Sequence, residues 1–517
     1  MDMDILPLLK QYLQVLYLHS FLVTLFLVSL LFLFIHIKTN GKAKLPPSPP
    51  KFPIIGNLHQ LGTHPHRSLR ALSEKYGPMM LMHLGQSPTL VLSSADIAKE
   101  CLKTHDIAFS GRHQTTAADI LFYGCKDVGF SPFGEYWKQA RKFCSLELLS
   151  LKRVQNFQFV RDEEVEIMVD RIRKACLSGA SVNISQMLMA TSNNIVSKSV
   201  LGQSFSEEDG RSRFGEMTRK VMVHLMAFCV ADFFPSLRWI DVLSGFINRV
   251  TATFRDFDSF FDQLIEERKS KATKKRDGES DMKDFVDILL QLPKDDMQDF
   301  DFTQDNMKAI LLDMLVGGSD STSTGLEWLM AELMRNSQVM KKVQEEVRGV
   351  VGKKQKIDMN DIKQMEYLKC VIKENLRLHP PVPLLVPRET TSSIDMRGYH
   401  IPANTKVIVN AWAIQRDPKL WDKAEEFIPE RFENNPVDFK GQDFQFIPFG
   451  SGRRGCPGIT FGLANTEFII ANLLYWFDWK LSGDGGLVPE EVDMSEGCGL
   501  AVSRKVPLHL SPVLYHL

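Results

Sequence analysis

The sequence predicts a mainly α-helical protein with a minor β portion, preceded by a single N-terminal transmembrane helix. Three observations carry that prediction. Residues 21–35, FLVTLFLVSLLFLFI, contain no charge. Helical patterns dominate from about 135 to 380, as in RDEEVEIMVDRIRKACL (161–177) and NSQVMKKVQEEVRGVV (336–351). Short β-like runs flank that region: MMLMHLG (79–85), PTLVLSS (88–94) and TKVIVNAW (405–412).

From Tyr17 to Ile37 the uncharged stretch is about 20 residues, enough to cross a bilayer as a helix. No small-x-small cleavage site follows it. Lys38, Lys42 and Lys44 follow instead, and such a basic flank belongs on the cytoplasmic side. LPPSPPKFP then gives a stiff, extended linker, because proline cannot continue the helix. The expected organisation is a lumenal N-terminus (1–19), a transmembrane anchor (20–37), a basic, proline-rich hinge (38–53) and one large domain (54–517) without an internal linker. In this topology the sequon Asn183-Ile184-Ser185 stays unmodified. KSKATKKRDGESDMKD (269–284) is charged and breaker-containing, which predicts an exposed loop.

The 517 residues include 62 Lys and Arg against 63 Asp and Glu, a net charge of −1. That balance excludes nucleic acid as the main partner. The eight cysteines are scattered with no C-x-x-C pair, so neither a zinc site nor a disulfide framework is expected, and reduced thiols fit a cytosolic domain.

FGSGRRGCPG (449–458) poses two readings. GSGRRG matches G-x-G-x-x-G, the dinucleotide pattern. Against it, little parallel-sheet pattern surrounds the motif, Pro448 removes an N–H that a central strand needs, and Cys456-Pro457 stands where the new helix should open. The other reading is a haem iron held by the Cys456 thiolate. Gly450, Gly452, Gly455 and Gly458 let the backbone run close beneath a flat macrocycle. Backbone N–H groups of the turn, and of a helix starting near Pro457, stabilise the sulfur charge. Phe449 packs near the ligand, and Arg454 pairs with a haem propionate.

Phe449, Gly452, Arg454, Cys456 and Gly458 fill every fixed position of F-x-x-G-x-R-x-C-x-G. Through this motif the chain resembles the cytochrome P450 family of haem-thiolate monooxygenases, from the proline-rich hinge to the C-terminus. The anchor, PPSPPKFPIIGN and PERF make it most similar to microsomal plant oxidases of specialised metabolism, in the seventy-one family. The resemblance implies the cytochrome P450 fold, heme b with Cys456 as axial metal ligand, and a single-pass endoplasmic reticulum protein whose catalytic domain faces the cytosol.

Companion motifs extend the resemblance. Glu374 and Arg377 in KENLRLHP lie three apart, on one helical face, and Arg431 in PERF offers a second cation. The family places such a Glu–Arg–Arg cluster beneath the haem loop. Residues 305–336 read as one apolar helix of about 48 Å, interrupted by Gly317-Gly318-Ser319-Asp320-Ser321-Thr322. Two mid-helix glycines cost about 1 kcal/mol each relative to alanine. The resemblance makes this the oxygen-binding helix: small residues leave room for dioxygen, and Asp320 with a neighbouring hydroxyl relays protons. Ser321 stands where the family has threonine, and Thr322 shares the candidacy. Trp137 and Arg141 lie four apart on one face; with Arg388 they are implied to meet the haem propionates.

No flavin or nicotinamide module is legible, so the implied electron source is NADPH through a membrane-bound NADPH-cytochrome P450 reductase. Its docking face should be basic, with Lys138, Lys142 and Arg453 as candidates. By family analogy the pocket walls come from about 110–125, 222–234, 313–321, 382–386 and 497–501, largely apolar runs that suit a hydrophobic small molecule. A terpenoid, either a triterpene or a diterpene, is preferred over an alkaloid or phenylpropanoid. Asp320 beside a hydroxyl argues against an oxygen-independent haem-thiolate isomerase or dehydratase.

Overall fold

The computed structural model describes residues 15–30, 44–205, 213–274, 283–291, 302–482 and 489–515. The chain forms two compact units: residues up to Pro46 with Ile394–Ile401, and Pro47–Ser393 with Pro402–Leu517.

In the first unit, helix α1 (Val15–Leu30) covers the start of the expected anchor, and its apolar side chains are exposed. Residues 31–37 of that anchor, and 1–14 before it, lie outside the described residues. Among the described residues no single helix is long and apolar enough to cross a membrane. The same unit holds a hairpin, Ile394–Met396 with Tyr399–Ile401. Its turn residues Arg397 and Gly398 have φ of 52° and 75°, as a two-residue hairpin turn requires.

The second unit is mainly helical. Its site-bearing helices are α2 (Glu135–Phe143), α3 (Ile184–Leu201), α4 (Gln304–Arg335), α5 (Glu366–Leu378) and α6 (Ile459–Trp476). The helical patterns at 161–177 and 336–351 lie in helices Gln158–Ser178 and Ser337–Val351. A five-stranded sheet contains β1 (Met79–Leu84), β2 (Ser87–Leu92), β3 (Gly111–Arg112), β4 (Arg388–Glu389) and β5 (Lys406–Val409), in the order β1-β2-β5-β4-β3. β1 and β2 form an antiparallel hairpin with Met79 opposite Leu92, and β2 runs parallel to β5 with Leu90 opposite Val407. β3 and β4 are two residues each, yet they deliver Arg112 and Arg388 opposite one another.

α4 begins with a reciprocal cap: Thr303 N donates to Asn306 Oδ1, and the Thr303 side chain receives the Asn306 N–H. Its apolar residues Leu311, Leu315, Leu326 and Leu329 are fully buried. Each such side chain contributes about 1.5–3 kcal/mol of transfer free energy. These residues tie the helix to α3 and α6 in one continuous core.

One expectation is corrected. Residues 269–274 are not loop: they end the 29-residue helix Phe246–Lys274. Lys269 pairs with Glu266 and Lys271 with Glu267, so the charges support a solvated helix end. The rest of the expected loop, 275–282, lies outside the described residues, and Asp284 caps the next helix by accepting from Asp287 N. DFQFIPF (443–449), just before the cysteine loop, is a series of turns, so the strand that a dinucleotide site needs ahead of its glycines does not form there.

Candidate active site

Residues 450–458 wrap under one side of a cavity of about 320 Å³. Gly450 and Gly452 both adopt φ +69°, and a Cβ on Gly452 would stand 2.2 Å from the Leu102 carbonyl oxygen. Only glycine permits that turn to close against the Leu102 backbone. Cys456 N donates to Phe449 O (2.9 Å), folding the loop back on itself before α6. The thiol faces the cavity, while protein on the other sides desolvates it. Burial pushes its pKa up; the Gly458 N–H on the sulfur and the Arg141 charge oppose that.

Four guanidiniums converge on the same cavity: Arg112, Arg141, Arg388 and Arg454. Backbone carbonyls orient them. Arg112 donates to Gly129 O (2.8 Å) and Val386 O (2.7 Å), and Arg141 to Gly455 O (2.6 Å). Arg388 donates to Ser451 O (2.6 Å), and Arg454 to Ser110 O (2.8 Å) and Ser131 O (2.6 Å). Burial lowers the pKa of all four; neighbouring arginines add to the fall at Arg112, Arg141 and Arg454, whereas Cys101 and Asp106 oppose it at Arg388, which lies 3.3 Å from Asp106. Arg454 is pushed down to about 9 by burial and then by Arg388. Arg112 was missed in the sequence. An arginine in a short strand beside glycine gave no periodic signal.

The Trp137 indole N–H differs from the expectation. It donates to Val128 O (3.0 Å) rather than into the cavity, because α2 turns the ring toward the 126–131 segment. The ring lies under Arg454, whose guanidinium carbon is 4.0 Å from its centroid.

On α4, Gly317, Gly318, Ser321 and Thr322 form part of the wall, and Asp320 does not. The two glycines do different jobs. A Cβ on Gly317 would meet nothing within 4 Å, whereas one on Gly318 would press on Val196 at 3.1 Å. Gly317 therefore leaves open space, and Gly318 lets α3 pack. Ser321 Oγ donates to Gly317 O (2.8 Å). Thr322 Oγ1 lies 3.8 Å from the Cβ position of Gly462, on the α6 side. Burial raises the Asp320 pKa, and the Arg219 charge opposes that shift.

Glu374, Arg377 and Arg431 meet. Arg377 donates to both Glu374 oxygens (2.7 and 2.8 Å), and Arg431 Nε adds a third contact at 3.0 Å. Glu374 also accepts from Ile428 N (2.8 Å). Lys138, Lys142 and Arg453 are exposed; Lys138 pairs with Glu135, and Arg453 lies 3.4 Å from Asp106.

The profile of the cytochrome P450 family matches residues 46–503. The chain belongs to the cytochrome P450 family. This P450 is 55% identical to phenylacetaldehyde oxime monooxygenase CYP71AN24 of Prunus mume over 92% of its own length and 90% of the relative. It is 52% identical to cytochrome P450 71A1 of Persea americana over 88% and 90%, and 48% identical to desmethylyatein synthase of Sinopodophyllum hexandrum over 95% and 98%. It is therefore similar to plant oxidases of the seventy-one family and is an oxygen-incorporating oxidoreductase.

The family implies a haem-thiolate iron, and the residues present fit that group. A sulfur faces the cavity from a glycine cradle that a Cβ would fill. Four buried guanidiniums, raised against one another, are suited to a cofactor carrying two carboxylates. Segments expected as pocket walls do supply lining residues: Phe122, Met222, Leu225, Val382 and Leu500 among them. Phe130, not foreseen, stacks on Phe122 at 5.6 Å.

Proposed function

We propose that this P450 is a membrane-anchored monooxygenase that draws electrons from NADPH through a flavoprotein reductase and oxidises a hydrophobic plant specialised metabolite. The observation that carries the reading is one cavity bounded by Cys456, the four arginines and the Gly317–Thr322 segment of α4. When bound, haem supplies dioxygen activation, and a thiolate ligand favours O–O cleavage.

The chain's own residues do the rest. Cys456 holds the iron, with the Gly458 N–H sharing the sulfur charge. Arg112, Arg141, Arg388 and Arg454 hold the haem carboxylates, and Trp137 stiffens Arg454 from below. Phe449 and Gly450 line the cavity beside the sulfur. Asp320 is the acid that holds the proton, and burial, by raising its pKa, favours the protonated form. Ser321 delivers it at the cavity wall. Its bond to Gly317 O fixes the hydroxyl as a rotamer-restricting methyl otherwise would, while Thr322 faces α6. Glu374, Arg377 and Arg431 lock α5 to the 415–431 segment beneath the haem loop.

The apolar helix α1 supports anchoring in the endoplasmic reticulum membrane with the catalytic domain in the cytosol. In the second unit, Phe228, Trp239, Val242 and Leu243 are exposed, an apolar face that favours lipid contact. The basic, exposed Lys138, Lys142 and Arg453 suit an acidic reductase surface.

The mostly apolar lining above Ser321 favours a substrate with little polarity, and a terpenoid, triterpene or diterpene, is the first class to test. The Phe122–Phe130 stack favours an aromatic metabolite as the second reading, in keeping with the oxime and lignan enzymes among the relatives. The test is turnover in membranes with reductase, NADPH and labelled dioxygen against terpenoid, oxime, lignan and alkaloid panels. The expected product carries one labelled oxygen atom; rearranged product without label would overturn the monooxygenase reading.

A further inference from the structure

Asp313 lies on α4 seven residues before Asp320, so both sit within about 20° on the helix surface. It is a half-buried acid in an apolar run, and it lines the same cavity. Its Oδ2 accepts two consecutive backbone N–H groups, Val128 (3.0 Å) and Gly129 (3.1 Å). Asp127 braces the same turn by accepting from Phe130 N (2.8 Å). The turn is tight at Gly129: a Cβ there would stand 3.1 Å from Asp127 Oδ2 and 3.3 Å from Asp313 Oδ1, so either carboxylate would have to yield by a few tenths of an ångström.

The carbonyls of the same two residues face the cofactor cluster. Val128 O accepts from Trp137 Nε1 (3.0 Å) and Arg454 Nη1 (3.3 Å), and Gly129 O accepts from Arg112 Nε (2.8 Å). One carboxylate thus fixes the N–H side of a turn whose carbonyl side holds two of the four guanidiniums. We propose that Asp313 is a positioning residue that, by clamping the Val128–Gly129 turn to α4, sets Arg112 and Arg454 to grip the haem carboxylates. This rests on the reading that those arginines bind the haem carboxylates. It also makes α4 a common support for the carboxylate grip and the Asp320–Ser321 pair.

A counter-charge role alone predicts that removing the charge is as damaging as removing the side chain. A clamp predicts otherwise, because asparagine keeps an acceptor oxygen. The test uses full-length holoenzyme in lipid nanodiscs and measures haem transfer to excess apomyoglobin, with hydrogen exchange of the 126–131 peptide as second readout. Asp313→Ala should lose haem about tenfold faster or more and expose the Val128 and Gly129 amides to exchange. Asp313→Asn should fall between Ala and wild type. Asp305→Asn, which breaks the exposed pair with Lys126 on the same helix, should stay within about twofold of wild type.

Transfer from Asp313→Ala within about twofold of wild type, or Asn as fast as Ala, overturns the proposal. If Asp313→Ala takes up no haem, Asp313→Asn decides: faster transfer with wild-type exchange of the 126–131 peptide marks a counter-charge and overturns the clamp, as do wild-type values in both, and faster values in both support it. Arg454→Leu separates the two levels. If it too leaves haem retention unchanged, the arginine reading fails and the clamp with it; if it accelerates loss while Asp313 variants do not, the clamp alone fails.

Discussion

Arg377 closes a two-pronged bond on Glu374, Nε to Oε2 at 2.7 Å and Nη2 to Oε1 at 2.8 Å, with both side chains fully buried. The guanidinium spends its remaining N–H groups on the carbonyls of Gln415, Ala424 and Glu426. Removing either partner leaves a buried charge unpaired, at a cost of about 3–5 kcal/mol. Glu374→Ala and Arg377→Ala are expected to give no holoprotein, measured as haem per folded chain after expression. Arg377→Lys should also fail, since an ammonium cannot reproduce the planar fork. Normal haem content in any of the three contradicts this role.

Ser321 and Thr322 make separable predictions. Ser321→Ala removes the hydroxyl anchored on Gly317 O, so NADPH consumption should continue while product per NADPH falls about tenfold or more and peroxide rises. Thr322→Ala, on the α6 side, should change coupling by less than about twofold. The reverse ranking would move the proton-delivering hydroxyl to Thr322.

Asp320→Asn should slow product formation by about 100-fold or more, with substrate binding little changed, because a positioned acid contributes about that much to proton transfer. The check is single-turnover kinetics with spectral substrate titration. A loss confined to binding would contradict a proton-handling role.

Glu467 on α6 gives a pH prediction. Burial pushes its pKa up to about 7, from an ordinary 4.5. A raised carboxyl pKa means that stability is fully present below the unfolded value, near 4.5, and is lost as pH rises through about 7. Glu467→Gln should therefore match wild type near pH 5 and be more stable by up to about 2–3 kcal/mol above pH 8, read from unfolding midpoints. A variant advantage that does not grow with pH contradicts the shift.

The Asn183 sequon should remain bare. Asn183 Oδ1 caps α3 by accepting from Gln186 N (3.0 Å), and Ser185 Oγ accepts from Leu508 N (2.8 Å). Endoglycosidase treatment of protein made in eukaryotic microsomes should produce no mobility shift. A shift would contradict the cytosolic placement of this domain.

What could be read from sequence follows the range of the interactions. The Cys456 turn and the Glu374–Arg377 pair are local patterns, within ten residues and three apart, so they stood in the sequence as motifs that the resemblance could then interpret. Arg431 was reached only through a second motif, since it meets Glu374 across 57 residues. Arg112 and Asp313 fell in expected pocket-wall segments but were not singled out, because their contacts are long-range: Arg112 reaches Val386 O, 274 residues away, and Asp313 reaches the Val128 amide, 185 away. A signal did exist for Asp313, a lone acid in ILLDMLV, which cannot be buried cheaply without partners. The hydrogen bond that Trp137 makes was out of reach for a related reason. Helical spacing put the indole on the right face, but the Val128 carbonyl that captures its N–H comes from a loop with no periodic pattern. Charged residues 269–274 read as loop, yet their i,i+3 and i,i+4 pairing supports helix.

The proposed function stands or falls on the Cys456 sulfur holding the iron of a bound haem. The most direct measurement is the optical spectrum of the reduced, carbon monoxide-bound full-length protein, beside Cys456→His. Wild type is expected to give a strongly red-shifted Soret band, and the variant an imidazole-like band. An imidazole-like band in wild type, or a red-shifted band that survives Cys456→His, would contradict it.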